Sequence, residues 1–302
     1  QSRATIQDLG RFGLRRFGIS QCGAMDKLAL RAGNILLGNA EDAPAIEVPL
    51  GGITLQFQQD MNFCVTGAFY EMTLDDKPVF AYWRYQARAG QVLKMIRAKI
   101  GMYGYLCVQG GFTLPQELNS CSTDLRAQIG GIEGRGLQVG DQLQTVNDPI
   151  LRSEIGIAPI PLKHTIHALP SSEYQAFKRK SQYYWWRSKW TLQSNSDRMG
   201  YRFQGQKLEL KQPLEMLSHA IQFGSVQVPP SGQPIILMAD AQTTGGYPKI
   251  ANVIDADLGA LAQVRLGSTI QFEAVSLEQA AKLRRKNEIY LDQIRRIVDE
   301  KN

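Results

Sequence analysis

Pro234-Ile-Ile-Leu-Met-Ala-Asp-Ala-Gln-Thr-Thr-Gly-Gly-Tyr-Pro-Lys-Ile-Ala-Asn-Val-Ile-Asp-Ala-Asp-Leu258 sets the reading of the chain. Its apolar start, Pro234 to Met238, follows the turn-rich Pro229-Pro-Ser-Gly-Gln and predicts a buried strand. The strand then delivers Asp240, Gln242, Thr243 and Thr244 onto Gly245-Gly246 and Tyr247. Paired glycine predicts a turn through positive φ to which a ligand could come close. Successive N–H groups in such a turn can form an anion nest, and Lys249 adds a positive charge beside it. Asp255 and Asp257, two apart, would point the same way on an extended chain. Two readings fit: a polar hairpin turn with capping aspartates, or a ligand loop beside an apolar strand. The spacing is neither that of a P-loop nor that of G-x-G-x-x-G.

Similar clusters occur elsewhere. The loop after Tyr103-Gly-Tyr-Leu-Cys-Val108 carries Ser122, Thr123, Asp124 and Arg126 ahead of Gly130-Gly131. The planar fork of Arg126 suits a carboxylate, and pairing within the loop fits equally well. Ser194 to Arg202 sets Asp197 and Arg198 before Gly200. Around these loops, short alternating runs at Ile46–Val48, Ile53–Phe57, Phe63–Val65, Met72–Leu74, Val79–Trp83, Leu208–Leu210, Ser225–Val228 and Ile270–Phe272 predict strands. Asp26 is placed to cap a helix ending at Gly38-Asn39. Ser172-Glu-Tyr-Gln175 and Ser276-Leu-Glu-Gln279 each have the pattern of a capping box. The second would open a C-terminal helix with Tyr290, Leu291, Ile294, Ile297 and Val298 as its apolar stripe. Many short strands, glycine turns and few helices make the chain mainly β, as barrels or sandwiches. Prolines and weak periodicity over residues 146–163 mark a boundary.

With Thr5-Ile-Gln-Asp-Leu-Gly-Arg11, Gly23-Ala-Met-Asp26, Ser122-Thr-Asp-Leu-Arg126 and Ser196-Asp-Arg-Met-Gly-Tyr-Arg202, the opening stretch resembles the KipA-like family. That family also goes by the names 5-oxoprolinase C-type subunit (PxpC), allophanate hydrolase subunit 2 and biotin-dependent carboxyltransferase family. The resemblance implies two cyclophilin-like β-barrel halves, residues 1–155 and 156–275, then a C-terminal helix, 276–302. It implies a subunit of an ATP-dependent 5-oxoprolinase in the cytoplasm, acting with PxpB-like (KipI-like) and PxpA-like partners. The chemistry implied is phosphorylation of the lactam oxygen of 5-oxoproline, then hydrolysis to glutamate, with ATP and Mg²⁺ as cofactors. Arg126, Arg198 and Lys249 would then neutralise phosphate or substrate carboxylate, with Asp197 and the 242–247 loop beside them. Asp240, Asp255 or Asp257 would hold Mg²⁺ or act as base. A carboxyltransferase half of a biotin-dependent urea carboxylase, or a KipA-type regulatory binding protein without turnover, are the alternatives.

Composition narrows the classes further. The 302 residues carry a formal charge of +6, and the basic residues near the C-terminus alternate with acidic ones, as on a solvated helix face. No nucleic-acid motif, membrane-length apolar run or signal peptide is read from the sequence. Four cysteines without C-x-x-C and three histidines without a zinc spacing predict reduced, mostly buried thiols. Arg11, Arg15 and Arg16 stand in a glycine-rich opening expected to run as a looped ribbon.

Overall fold

The computed structural model describes residues 4–146, 149–151 and 154–301. Asn147 and Asp148, within the expected boundary, lie outside the described residues. The chain forms two compact units. The first takes Gln1–Arg11, Cys22–Pro161 and Asn287–Asn302; the second takes Phe12–Gln21 and Leu162–Lys286.

The first unit contains β1 (Thr5–Gln7), α1 (Lys27–Leu36), β2 (Ala45–Pro49), β3 (Ile53–Gln56), β4 (Met61–Leu74), β5 (Lys77–Pro78), β6 (Arg84–Ala87), β7 (Val92–Val108), β8 (Phe112–Thr113) and β9 (Gln144–Thr145). Seven of these strands make one sheet in the order β1-β2-β7-β4-β5, with β3 on β7 and β6 on β4. The runs expected as separate strands at Phe63–Val65 and Met72–Leu74 are one long strand, β4. It stays paired with β7 by register shifts that begin at Gly67. Val79–Trp83 is not a strand. Tyr82 sits at φ +65°, and its N–H donates to Val65 O at 2.7 Å, so the chain turns there before β6.

Asp26 caps α1, accepting from Ala29 N–H at 3.0 Å. A Cβ on Gly33 would lie 2.8 Å from Cys107 Sγ and 2.9 Å from Thr66 Oγ1, so glycine is what lets the helix settle on the sheet. Alternating apolar residues of β4 and β7, including Val65, Met72, Met95 and Leu106, fill the core beneath. The opening ribbon is fixed from within. Asp8 accepts from Gly10 N–H at 2.7 Å, Ser120 Oγ at 2.7 Å and Cys121 N–H at 2.6 Å. Arg11 is buried and donates to the carbonyls of Glu117 and Ser122. None of the four cysteines forms a disulfide, and all four are buried.

The second unit contains β10 (Thr165–Pro170), α2 (Arg179–Arg187), β11 (Trp190–Leu192), β12 (Gly200–Gln204), β13 (His219–Ala220), β14 (Ser225–Gln227), β15 (Ile235–Leu237), β16 (Thr244–Gly245), β17 (Lys249–Val253), α3 (Leu258–Ala262) and β18 (Thr269–Ala274). Seven strands close a barrel in the order β10-β17-β14-β15-β12-β11-β18, joined by the parallel pair β10 and β18. Closure leaves no free sheet edge and fixes which side chains meet at each rim. Trp185 on α2 stacks on Phe272 of β18, ring centroids 4.2 Å apart, and both are fully buried. The expected capping box at Ser172 does not form: its hydroxyl donates to Glu173, and the helix begins only at Arg179. Leu208–Leu210 makes one isolated bridge, Leu210 to Phe177, instead of a strand. The arm Phe12–Gln21 is held by Arg15, which donates to Ile221 O, and by Ser20, which donates to Ala241 O.

The last helix, α4 (Leu277–Lys301), opens with the capping box its sequence announced. Ser276 N–H donates to Gln279 Oε1 at 2.7 Å and Gln279 N–H to Ser276 Oγ at 3.1 Å. Further along, Leu291, Ile294 and Val298 are buried, so the stripe serves the protein's own core, while Ile297 stays 39% exposed. Arg31 makes a forked pair with Glu288, 2.8 Å on each arm, and meets Glu41 at 2.5 Å. Arg295 reaches the other oxygen of Glu41.

Candidate functional site

Of the nominated residues, Arg126 lies exposed in the first unit, whereas Asp197, Arg198 and residues 240–257 belong to the second. Within the second unit three polar assemblies form.

In the first, Arg198 and Asp240 are locked together. The guanidinium donates from Nε at 2.8 Å and from Nη2 at 2.7 Å to the two carboxylate oxygens, a bidentate pair. Asp240 N–H also bonds Arg198 O at 2.9 Å, tying the loop before β12 to the one after β15. Asp197 accepts from the N–H groups of Met199 and Gly200, which shapes the turn. These residues are therefore committed to holding loops in place.

The second assembly corrects the reading of the aspartate pair. Residues 255–257 form a 3₁₀ turn, not an extended segment, so the two carboxylates diverge. Asp255 is exposed. Asp257 is fully buried and bonds Lys163 Nζ at 2.6 Å, His167 N–H at 2.9 Å and His167 Nδ1 at 2.6 Å.

The third surrounds Lys249. It is not a free cation beside a turn but a buried residue at the start of β17. Its ammonium lies 3.4 Å from Glu173 and hydrogen-bonds His219 Nε2. His219 Nδ1 is 3.2 Å from Leu217 O; as that carbonyl can only accept, the proton sits on Nδ1 and Nε2 accepts from lysine. Glu173 also accepts from Lys249 N–H at 3.1 Å and from Ser172 Oγ. Burial pushes the Glu173 carboxyl up, but the Ser172 hydroxyl, the Lys249 N–H and the ammonium outweigh it and hold the group below the ordinary glutamate range.

Gly245 and Gly246 do not form the expected nest, since neither has positive φ. Thr244 and Gly245 instead make a two-residue strand, β16, on β13. Gly245 is closely packed: a Cβ there would stand 2.5 Å from Gln227 Nε2 and 3.0 Å from Ile221 Cδ1, so either side-chain end would have to move. Gln242, Thr244, Gly246 and Tyr247 are exposed around this point, and Thr243 is buried with its carbonyl bonded by Ile221 N–H. Glu173, His219 and Gln227 were not nominated from the sequence. They lie on segments far from Lys249 along the chain, with no local motif to flag them.

A magnesium set is not among these groups. Asp240 is held by arginine, Asp257 by lysine and histidine, and Asp255 is exposed on the 3₁₀ turn with Arg284 at 3.9 Å. Among the described residues no three His, Cys, Asp or Glu side chains gather as metal ligands. The nominated residues thus do not fit Mg²⁺, and without a nest or a free cation they do not fit ATP phosphates.

The chain belongs to the family described as carboxyltransferase domain, subdomain A and B, which matches residues 17–274. It is 92% identical to the C-type subunit of 5-oxoprolinase from Haemophilus influenzae over 302 residues, covering 100% of this chain and 98% of that protein. It is 49% identical to the corresponding 5-oxoprolinase subunit of Escherichia coli, covering 96% and 94%. Among solved structures, the Kluyveromyces lactis urea carboxylase superposes with a TM-score of 0.89 at 26% identity, over 97% of this chain and 28% of that one.

Proposed function

We propose that this chain is a subunit of a cytoplasmic 5-oxoprolinase, an ATP-driven cyclic amide hydrolase that opens 5-oxoproline to glutamate. The observation that carries the reading is the 92% identity, end to end, with the 5-oxoprolinase subunit of Haemophilus influenzae. In the reaction the lactam C–N bond breaks; water supplies hydroxyl to the carbonyl carbon and hydrogen to the nitrogen. A lactam carbonyl is a poor electrophile, so donors aimed at its oxygen help as charge develops there. Lys249, held by Glu173 and His219, is the donor we assign to that task. The Arg198–Asp240 pair and Asp257 with its partners are positioning groups that keep the loops around the barrel rim in register.

ATP and Mg²⁺ are assigned to the complex and not to this chain, in keeping with the poor fit of its carboxylates. The partners are subunits of the PxpB-like (KipI-like) and PxpA-like kinds. The likeness to urea carboxylase supports a second reading, carboxyl transfer from a biotinyl carrier on another chain, at far lower identity. Co-expression with both partner subunits, followed by assay of 5-oxoproline-dependent ATP hydrolysis and glutamate release, decides between them. Release of glutamate is expected. Its absence, with biotin-dependent carboxylation of urea in its place, would overturn the first reading in favour of the second.

A further inference from the structure

Gln227 ends β14 directly opposite Lys249, the first residue of β17, at a β-bulge that shifts the register between Val226 and Gln227. Bulges re-aim side chains, and they recur beside functional sites. Gln227 is only 3% exposed, yet its amide nitrogen has no hydrogen-bond partner. A buried amide left without an acceptor is costly, so a donor kept in that state calls for an explanation. The nearest feature is Gly245, whose missing side chain leaves the space a Cβ would take at 2.5 Å from the same nitrogen. Any larger residue at 245 would have to displace the amide.

Lys249 complements this arrangement. An ammonium has three hydrogens. One is directed to His219 Nε2 and one toward Glu173, which leaves the third. Glu173 stands 3.4 Å from the ammonium and offsets its charge. A site with two buried donor hydrogens that lack an acceptor favours a neutral carbonyl oxygen, especially one that gains negative charge during reaction, over a second carboxylate.

We propose that Gln227 Nε2 and Lys249 Nζ together hold the carbonyl oxygen of a lactam. The assignment rests on the oxoprolinase reading and extends it, giving Gln227 a role the sequence did not suggest. Gly245 lacks the side chain that would displace the Gln227 amide.

Two measurements test it. In the complex reconstituted with both partner subunits, Gln227→Met keeps side-chain volume and removes the donor. Turnover of 5-oxoproline is expected to fall about 100-fold, the usual consequence of deleting one oxyanion donor. The melting temperature should not fall, because no internal hydrogen bond is lost. Turnover within threefold of the native complex would overturn the proposal while leaving the oxoprolinase reading in place. Independently of turnover, the full chain alone is titrated with 2-pyrrolidinone, a lactam without a carboxylate, and with proline, a carboxylate without a ring carbonyl. The Gln227 side-chain amide resonance, identified by its disappearance in Gln227→Met, is expected to move with 2-pyrrolidinone and not with proline. Movement with proline alone, or with neither compound, overturns the proposal even if the complex is inactive on 5-oxoproline.

Discussion

Replacing Glu173 by Gln tests whether the Lys249 assembly is held by charge. The carboxylate accepts from Lys249 N–H at 3.1 Å, from the ammonium at 3.4 Å and from the Ser172 hydroxyl. Glutamine keeps an oxygen for the backbone N–H but loses the charge. Exchanging a charge-assisted hydrogen bond for a neutral one costs about 1 kcal/mol. Leaving the buried ammonium with His219 alone adds about 1 kcal/mol more, below the usual cost of orphaning a buried charge because one partner remains. The sum, about 2 kcal/mol, corresponds to a fall of roughly 1 M in the urea midpoint for an m-value near 2 kcal/mol/M. Fluorescence is a suitable probe, because Trp185, Trp186 and Trp190, three of the four tryptophans, lie in the second unit. A double-mutant cycle with Lys249→Met should give a coupling of about 1–2 kcal/mol. The pH dependence follows from the lowered carboxyl of Glu173. Its contribution is present above the unfolded glutamate value, about 4.3, and is lost as pH falls through the folded one, so native and variant should converge in acid. A coupling under about 0.3 kcal/mol, or a stability gap that persists at low pH, would refute the ionic account.

Three more outcomes are expected. Ile294→Ala, which empties a site 1% exposed, should cost the first unit about 2–4 kcal/mol in denaturant titration, whereas Ile297→Ala on the next turn should cost under about 1 kcal/mol. Asp257→Ala removes the shared acceptor of Lys163 and His167 and should destabilise the second unit by about 2–4 kcal/mol, seen as an earlier tryptophan transition. Burial raises the Glu41 carboxyl, but hydrogen bonds and charge from Arg31 and Arg295 lower it overall. Glu41→Gln should therefore lose stability at neutral pH and show a flatter acid titration than the native chain, measured by circular dichroism from pH 7 to 3.

Local physics was legible where one segment decides it. The apolar run at Ile235–Leu237 became a strand, Asp26 became a cap, and Ser276 with Gln279 closed a capping box. Failures came where tertiary structure decides. Glycine serves either positive φ or close approach, and the sequence of Gly245-Gly246 does not tell the two apart; here the φ is ordinary and the Gln227 amide packs close to Gly245. Asp255 and Asp257 were read with the period of a strand, but a 3₁₀ turn at the helix entry sends one outward and one inward. Ser172 had the spacing of a cap and spent its hydroxyl on the neighbouring glutamate. Glu173, His219 and Gln227 meet Lys249 only because the barrel closes, and no local window contains that fact.

Residues 287–302 belong to the unit that otherwise ends at Pro161. On the ribosome the chain emerges from its N-terminus, so the half made first lacks this helix until the second unit has been made. Ile294 and Arg295 arrive after the barrel strands have all been made. A fragment stopping at residue 161 would lack the buried Ile294 and leave Glu41 without its Arg295 partner, which makes stalled or truncated products of this chain natural clients for chaperones.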